Sequence, residues 1–248
     1  MFRKECGFKS LRPHMILDIQ YSAAHNDWPA LRDAILQDEA DGVYDTTWVL
    51  DHFDGTTFLD GDRDLLEAFT FMGALAAVTT TIGIGSLVAN VANRHPELLG
   101  LAASSVQRIS NGRLRLGLGA GAAPETPWSR EHKERGIALL PELADRHAAV
   151  VHQIHIARLR APDVPILVGV NSEQLARIAG THADGVNVRL SSPNAARYVA
   201  AAREAASEAG RDRSFEATGW AAPDDGASIQ KAHDLQLDRL IVAKLFAL

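Results

Sequence analysis

Residues 79–119, "TTTIGIGSLVANVANRHPELLGLAASSVQRISNGRLRLGLG", predict a strand, a helix and a second strand. The apolar run "TTTIGIGSLV" (79–88) is typical of a buried strand, and "RLRLGLG" (113–119) predicts the next one. Pro96 suits the first turn of the helix between them, which ends at "SNGR" (110–113). Its apolar residues recur at helical spacing on one face: Leu98, Ala102, Val106 and Ile109. Strands joined by such a crossover helix lie parallel, because the helix returns the chain to the same end.

The same alternation continues through the chain. Six further strands are predicted: "HMILDIQ" (14–20), "YDTTWVL" (44–50), "VPILVGV" (164–170), "DGVNV" (184–188), "FEATGW" (215–220) and "DRLIVA" (238–243). Helical patterns cover residues 28–40, 65–75, 139–153, 172–181 and 194–209. Eight such strands predict one α/β domain over residues 1–248, a TIM-type (β/α)8 barrel, with an open doubly wound sheet as the rival. Only "KLFAL" follows the eighth strand, so we expect the eighth helix to be missing or truncated.

Composition excludes several classes of partner. The net charge is -6 and no block of Lys and Arg stands out, so neither nucleic acid nor an anionic membrane is expected to bind. Cys6 is the single cysteine, which fits a reducing compartment. No run reaches the roughly 20 apolar residues of a membrane span, and the first residues lack the apolar core of a signal peptide. We therefore expect a cytoplasmic protein.

An acid and an imidazole end the second predicted strand. In "TTWVLDHFDG" (46–55) the apolar run stops at Asp51 and His52. Active sites of parallel barrels lie at the carboxyl ends of the strands, so the pair is expected at the catalytic mouth. A structural role stays open, in which Asp51 caps a turn and His52 donates to a backbone carbonyl.

Glycines follow the fourth strand in "GLGAGA" (117–122). A dinucleotide-binding fingerprint needs a helix to begin there, and Pro124 and Pro127 interrupt that segment, so we reject a Rossmann site. Two interpretations remain for Gly119 and Gly121. They let the backbone bend sharply at the barrel rim, or they let a flat ring system approach the backbone.

Three segments carry a resemblance to a known family. Residues 42–55 ("GVYDTTWVLDHFDG"), 65–121 and 164–188 ("VPILVGVNSEQLARIAGTHADGVNV") are similar to the bacterial luciferase-like superfamily of flavin and deazaflavin oxidoreductases. "GRDRSFEA" (210–217) fits weakly. The resemblance implies a barrel of the luciferase-like type that binds FMN or the deazaflavin coenzyme F-420 at its mouth. It also implies that the cofactor is usually a diffusible hydride carrier.

The resemblance implies roles for residues near the ring. The histidine of the "DHF" motif, here His52, would take part in proton transfer or polarise the substrate. Asp51 would orient that imidazole or bond the pyrimidine edge of the ring. A non-proline cis peptide at the end of strand three supports the ring in this family, and its place in the motif is Leu87-Val88. Asn90 would follow at the polar edge of the ring, with a turn-forming role as the alternative.

The phosphate of such a cofactor also needs a site. Strand five ends in Gly169, and Asn171 and Ser172 open a helix whose first N–H groups point toward an anion. Ser172 as the N-cap of that helix is compatible with this role. Arg189, after strand six, is expected to meet the phosphate or the glutamyl tail of the deazaflavin, with a solvated surface arginine as the alternative.

The leading hypothesis is an oxidoreductase that moves a hydride between coenzyme F-420 and a small organic substrate. Ala122 stands where the deazaflavin-dependent sugar-phosphate dehydrogenases of the superfamily carry a glutamate, which disfavours that activity. The alternatives are an FMN-dependent monooxygenase fed by a partner flavin reductase, and a non-catalytic flavin-binding protein. No metal site is predicted. Without an eighth helix, strands eight and one would expose an apolar patch, so we expect a homodimer or a higher homo-oligomer.

Overall fold

Eight parallel strands close into a barrel, in which each strand pairs with its neighbours in sequence and the last pairs with the first. The computed structural model describes residues 15–55, 65–211, 214–223 and 225–245. The strands are β1 (Ile16–Tyr21), β2 (Thr46–Val49), β3 (Gly83–Asn90), β4 (Leu114–Gly119), β5 (Ile166–Val170), β6 (Gly185–Arg189), β7 (Glu216–Ala221) and β8 (Arg239–Lys244). The barrel is confirmed against the open sheet, although the predicted start of the first strand at His14 lies outside the described residues.

The described residues form eight α-helices alongside the strands. They are α1 (Trp28–Asp41), α2 (Ala68–Val78), α3 (Pro96–Ile109), α4 (Arg130–Glu134), α5 (Leu143–Arg160), α6 (Glu173–His182), α7 (Ala195–Glu208) and α8 (Gly226–Asp234). A short 3-10 helix, Pro127–Ser129, precedes α4. Among the described helices none has the length and apolar character needed to cross a membrane.

The buried face of α3 differs from the predicted one. Leu99, Ala103 and Val106 are fully or almost fully buried, whereas Leu98 and Ile109 leave 56% and 54% of their surface exposed. Leucines occur on both sides of this helix, so helical spacing alone admits two apolar stripes. The stripe that packs inward is the one that begins at Leu99, and the predicted stripe shares only Val106 with it.

Helix α8 was not predicted. It lies between β7 and β8, and the Asp225 side chain caps it by accepting from the Ser228 N–H at 3.0 Å. The helix that was predicted to be missing or truncated is a different one, which would follow β8. The described chain continues beyond β8 only to Leu245, so its absence or truncation stays a prediction. Ile19 of β1 and Leu240 of β8 are fully buried, and the apolar patch expected on these strands is therefore smaller than predicted.

Charged side chains fill the amino end of the barrel interior. Asp18 accepts from Arg239 Nη1 and from Trp48 Nε1, each at 3.0 Å, and Arg239 also pairs with Glu216. Burial raises the pKa of Asp18 to about 6, against the lowering effect of Arg239. Apolar residues form the next layer toward the carboxyl end: Trp48, Leu87, Leu167 and Ile241. The carboxyl ends of the strands follow above this layer and carry the candidate site.

Candidate functional site

A cis peptide bond joins Leu87 and Val88 in β3, at the predicted position. The pairing of β3 with β4 shifts register at the same place, between Ser86 and Ala89. Leu87 packs in the apolar layer of the barrel interior.

The side chain of Val88 explains two of the predicted glycines. A Cβ atom at Gly119 would lie 2.4 Å from Val88 Cγ2, and one at Gly169 would lie 2.8 Å from Val88 Cγ1. Both distances are too short for real carbon contacts, so β4 and β5 need glycine where they face this valine. The structure thus brings together Val88, Gly119 and Gly169. Glycine is needed here because of the neighbouring side chain of Val88. The two interpretations from the sequence, a sharp bend of the backbone and the approach of a flat ring, did not include such a contact.

Asp51 is held by donors from the next loop. Its carboxylate is 3% exposed and takes both terminal nitrogens of Arg94 at 2.7 Å, as well as the Asn90 N–H at 2.9 Å. Arg94 also pairs with Glu67, just before α2. Although burial opposes it, the hydrogen bonds that Arg94 donates to Asp51 and Glu67 raise the pKa of Arg94. Asp51 therefore ties the end of β2 to the loop after β3. Asp51 was expected to orient the imidazole of His52, but within the described residues the carboxylate that contacts this ring is that of Glu131.

That carboxylate belongs to Glu131 on α4. Its Oε1 lies 2.7 Å from His52 Nδ1, and its Oε2 accepts from the Phe53 N–H at 2.7 Å. The Glu131 side chain is only 1% exposed, while that of His52 is 25% exposed. Burial alone would raise the pKa of Glu131, but the hydrogen bonds from His52 and Phe53 outweigh it and hold that pKa below its ordinary value. Glu131 thus contacts both the imidazole of His52 and the backbone of the residue that follows it.

A second buried histidine stands beside this pair. His132 is 1% exposed, and its Nε2 lies 2.7 Å from Asn93 Oδ1 and 3.2 Å from Asn90 Nδ2. Burial lowers the pKa of His132. Asn90 Oδ1 also accepts from the Ala92 N–H at 2.9 Å, which supports the turn-forming role for Asn90. Gly121, with φ of 70°, passes so close that a Cβ there would lie 2.6 Å from Asn90 Oδ1.

Sequence reasoning missed Glu131 and His132. Both lie in the connection from β4 to α5, residues 120–142, whereas connections of this kind usually have roughly 2 to 6 residues. Its excess length, at the mouth end of a barrel strand, was the available signal, because long loops at that position often carry function. Arg135 fastens α4 to the segment after β2, with Nη1 at 2.8 Å from Asp54 Oδ2.

The predicted phosphate site lies at the ends of β5 and β6. Ser172 is the N-cap of α6 and accepts from the Leu175 N–H at 3.2 Å, while the Asn171 carbonyl accepts from Tyr198 Oη at 2.9 Å. Glu173 in the first turn of α6 partly offsets the positive end of the helix. β5 and β6 pair directly, so the start of α6 and Arg189 occupy neighbouring positions on the rim.

Arg189 lies over the indole of Trp220, with its guanidinium carbon 5.4 Å from the ring centroid. The indole is fixed in turn, because Trp220 Nε1 donates to Gln20 Oε1 at 2.7 Å. In the part of the chain that the structure describes, the Arg189 guanidinium makes no hydrogen bond or ion pair. Its donors are therefore available to an anion at the barrel mouth.

Comparisons with known proteins identify the family of the chain. The family model of luciferase-like monooxygenases matches residues 17–223. The 5,10-methylenetetrahydromethanopterin reductase of Methanolobus tindarius is 29% identical over 186 residues, which are 68% of this chain and 53% of the relative. The same reductase of Archaeoglobus fulgidus is 24% identical over 166 residues, 62% of this chain and 47% of the relative. The chain thus spans about half the length of the curated relatives it matches.

Solved structures share the fold. An F420-dependent secondary alcohol dehydrogenase in complex with an F420-acetone adduct has a TM-score of 0.73 at 15% identity, with 92% of this chain and 93% of that chain covered. The EDTA monooxygenase of Chelativorans sp. BNC1 has a TM-score of 0.65 at 14% identity, with 90% and 65% covered. Since the family model covers most of the sequence, the chain belongs to the luciferase-like monooxygenase family.

Proposed function

We propose that this protein is an oxidoreductase that transfers a hydride between coenzyme F-420 and a small organic substrate at the barrel mouth. The observation that carries the proposal is the imidazole of His52, held at the end of β2 by the buried carboxylate of Glu131. A titratable group of this kind suits proton transfer near neutral pH. The names of the curated relatives, which are reductases, support the same class of reaction.

The side chains at the mouth fit a flat, phosphorylated cofactor. Val88 offers an apolar side chain between β4 and β5, where Gly119 and Gly169 leave room for it. Arg189 and the first N–H groups of α6, beside Asn171 and Ser172, would hold the phosphate. When bound, the deazaflavin supplies or accepts the hydride.

His52 would handle the proton that accompanies the hydride. Reduction of a carbonyl or imine carbon leaves charge on the heteroatom, which a protonated imidazole can neutralise, and oxidation requires the opposite transfer. Nδ1 of His52 is engaged by Glu131, so the exchange would use Nε2. Asp51, which the family resemblance placed beside the imidazole or the cofactor ring, would act indirectly by holding the loop that carries Asn90 and Arg94.

An FMN-dependent monooxygenase is the alternative function. The family description and the likeness to the EDTA monooxygenase favour it. It would require a partner reductase to supply the reduced flavin. A non-catalytic flavin-binding protein is less well supported, because a buried glutamate directed at an imidazole is an arrangement that flavin binding alone does not need.

Cofactor titration separates these functions. We expect coenzyme F-420 to bind with quenching of its fluorescence and FMN to bind at least tenfold more weakly, a difference of about 1.4 kcal/mol. We then expect reduced F-420 to be oxidised in the presence of a carbonyl or imine substrate. Acetone and 5,10-methylenetetrahydromethanopterin, which the names of relatives suggest, are the first probes. Tighter binding of FMN, with oxygen consumption when a flavin reductase is added, would replace this proposal with the monooxygenase.

We also propose a homo-oligomer. Three apolar residues of α3 are more than half exposed, at 56% for Leu98, 58% for Leu101 and 54% for Ile109. They recur at helical spacing on the outer wall of the barrel, and burying them against a second copy would be favourable. Sedimentation at micromolar concentration tests this, and a species of 26.8 kDa alone would contradict it.

A further inference from the structure

We infer that Glu131 is a positioning residue, which fixes both the tautomer and the orientation of the His52 imidazole. The inference rests on the proposed function, because His52 matters to the reaction only if it handles a proton there. It extends that function to a residue on α4 that lies 79 positions away in sequence.

The geometry at Glu131 uses both carboxylate oxygens. Oε1 lies 2.7 Å from His52 Nδ1, and Oε2 accepts from the backbone N–H of the next residue, Phe53, at 2.7 Å. One oxygen therefore holds the imidazole ring, and the other holds the backbone N–H of the residue next to it. A side chain with a single acceptor can satisfy only one of these donors.

The side chains of Glu131 and His52 differ in their exposure to solvent. The Glu131 side chain is 1% exposed and that of His52 is 25% exposed, so the acid faces the protein interior and the ring reaches the mouth. This is the arrangement of an orienting acid behind a proton-transfer group, in which the acid holds the ring without itself meeting substrate. Glu131 Oε1 also lies 4.0 Å from Nδ1 of the buried His132.

Helix α4 has other attachments that do not involve this carboxylate. Arg135 Nη1 donates to Asp54 Oδ2 at 2.8 Å, and His132 Nε2 lies 2.7 Å from Asn93 Oδ1. Phe53 packs edge to face against the His132 ring, with centroids 5.6 Å apart. Because these contacts do not use the Glu131 side chain, a variant at this position tests the contact with His52 rather than the attachment of α4.

The first test reads the imidazole directly, without cofactor or substrate. Nitrogen-15 NMR of histidine-labelled protein, at a pH where imidazoles are neutral, distinguishes the two tautomers, and the His52→Asn spectrum identifies the signals of His52. We expect the Nδ1–H tautomer in the wild type and in the control Glu134→Gln, which changes a half-exposed residue of the same helix. Glu131→Met removes both acceptors, and the Nε2–H tautomer should then predominate. Persistence of the Nδ1–H tautomer in Glu131→Met would overturn the inference.

Glu131→Gln provides the conservative variant and guards against misfolding of the methionine variant. Its amide oxygen can accept from His52 or from Phe53 but not from both, so the Nδ1–H tautomer should be partly restored relative to Glu131→Met. If Glu131→Met does not fold, Glu131→Ala replaces it, because alanine also lacks an acceptor. Persistence of the Nδ1–H tautomer in Glu131→Ala, with no mixture, would then count against the inference.

The second test is a double-mutant cycle on turnover of reduced F-420 with acetone or 5,10-methylenetetrahydromethanopterin. Glu131→Met should lower kcat about 100-fold and leave KM within a few-fold, because it impairs proton transfer and not binding. In a His52→Asn background the same change should cost less than about twofold, since the two residues act as one unit. Equal losses in both backgrounds would make Glu131 a structural residue only. Should His52→Asn alone leave kcat unchanged, the proposed role of His52 fails, while the NMR result still decides what Glu131 does.

Discussion

The guanidinium of Arg94 clasps the carboxylate of Asp51 through two parallel contacts, Nη1 to Oδ2 and Nη2 to Oδ1, both 2.7 Å long. The pair joins the end of β2 to the loop between β3 and α3, and its side chains are 12% and 3% exposed. An ion pair this well buried is costly to break on one side only, because the remaining charge stays in a low-dielectric environment.

Arg94→Met should therefore destabilise the protein by about 3 kcal/mol, the range found when a buried pair loses one partner. The free energy of unfolding in urea measures this. The control is Arg160→Met, which removes an ion pair with Glu97 that is 53% and 47% exposed and should cost less than about 1 kcal/mol. Equal losses in the two variants would show that the Asp51 pair contributes no more than a surface contact.

A buried histidine on α5 offers a route to higher stability. His147 is 3% exposed, and neither ring nitrogen has a hydrogen-bond partner among the described residues. An unsatisfied buried polar group costs about 1 to 3 kcal/mol, so His147→Leu should raise the free energy of unfolding by roughly 1 kcal/mol. His152→Leu, an exposed position on the same helix, should change it by less than about 0.5 kcal/mol. A destabilised His147→Leu would contradict the prediction.

The advantage of His147→Leu should depend on pH. Burial lowers the pKa of His147 below its ordinary value of 6.5, with a further lowering from Arg146. The unfolded state therefore takes up a proton at this residue more readily than the folded state does. The free energy of unfolding of the wild type is therefore not reduced by protonation of His147 above pH 6.5. It falls as the pH decreases from 6.5 through the pKa of His147 in the folded state. Unfolding measured at several values between neutrality and mild acid should show the gap between variant and wild type widening as the pH falls.

Local sequence patterns predicted the strands and helices better than the contacts between them. The β3–α3–β4 unit and the eight strands follow from residues close together in sequence, whereas the cis bond before Val88 was implied by the family resemblance. The inward stripe of α3 could not be chosen, because leucines on both sides of the helix give two similar patterns. The contact between Glu131 and His52 depends on how a long connection folds back over the barrel mouth, and no spacing rule specifies that.

His52→Asn provides the direct test of the candidate site. Asparagine keeps polarity but cannot transfer a proton near neutral pH, so turnover of reduced F-420 should fall by about 100-fold or more. The dissociation constant for F-420 should stay within a few-fold, because no part of the proposed phosphate site is changed. His155→Asn, on the exposed surface of α5, is the matched control and should leave turnover unchanged. Normal turnover in His52→Asn would remove this residue from the reaction.

The last prediction concerns the anion at the ends of β5 and β6. Arg189 lies over Trp220 and has donors that no described residue uses. Ser172 is the N-cap of α6, the helix that follows the adjacent strand β5. Ser172→Asp keeps an N-cap acceptor but adds negative charge where a phosphate would sit, so the dissociation constant for F-420 should rise at least tenfold, about 1.4 kcal/mol. Arg189→Gln should weaken binding by a similar factor, and added salt should weaken binding to the wild type more than binding to this variant. Arg197→Gln is the control, because that arginine already pairs with Glu173 at the surface. Fluorescence titration distinguishes the outcomes. If Ser172→Asp binds F-420 as tightly as the wild type while Arg189→Gln does not, the phosphate lies against the guanidinium and not at the helix. If neither change matters, the anion binds elsewhere on the mouth.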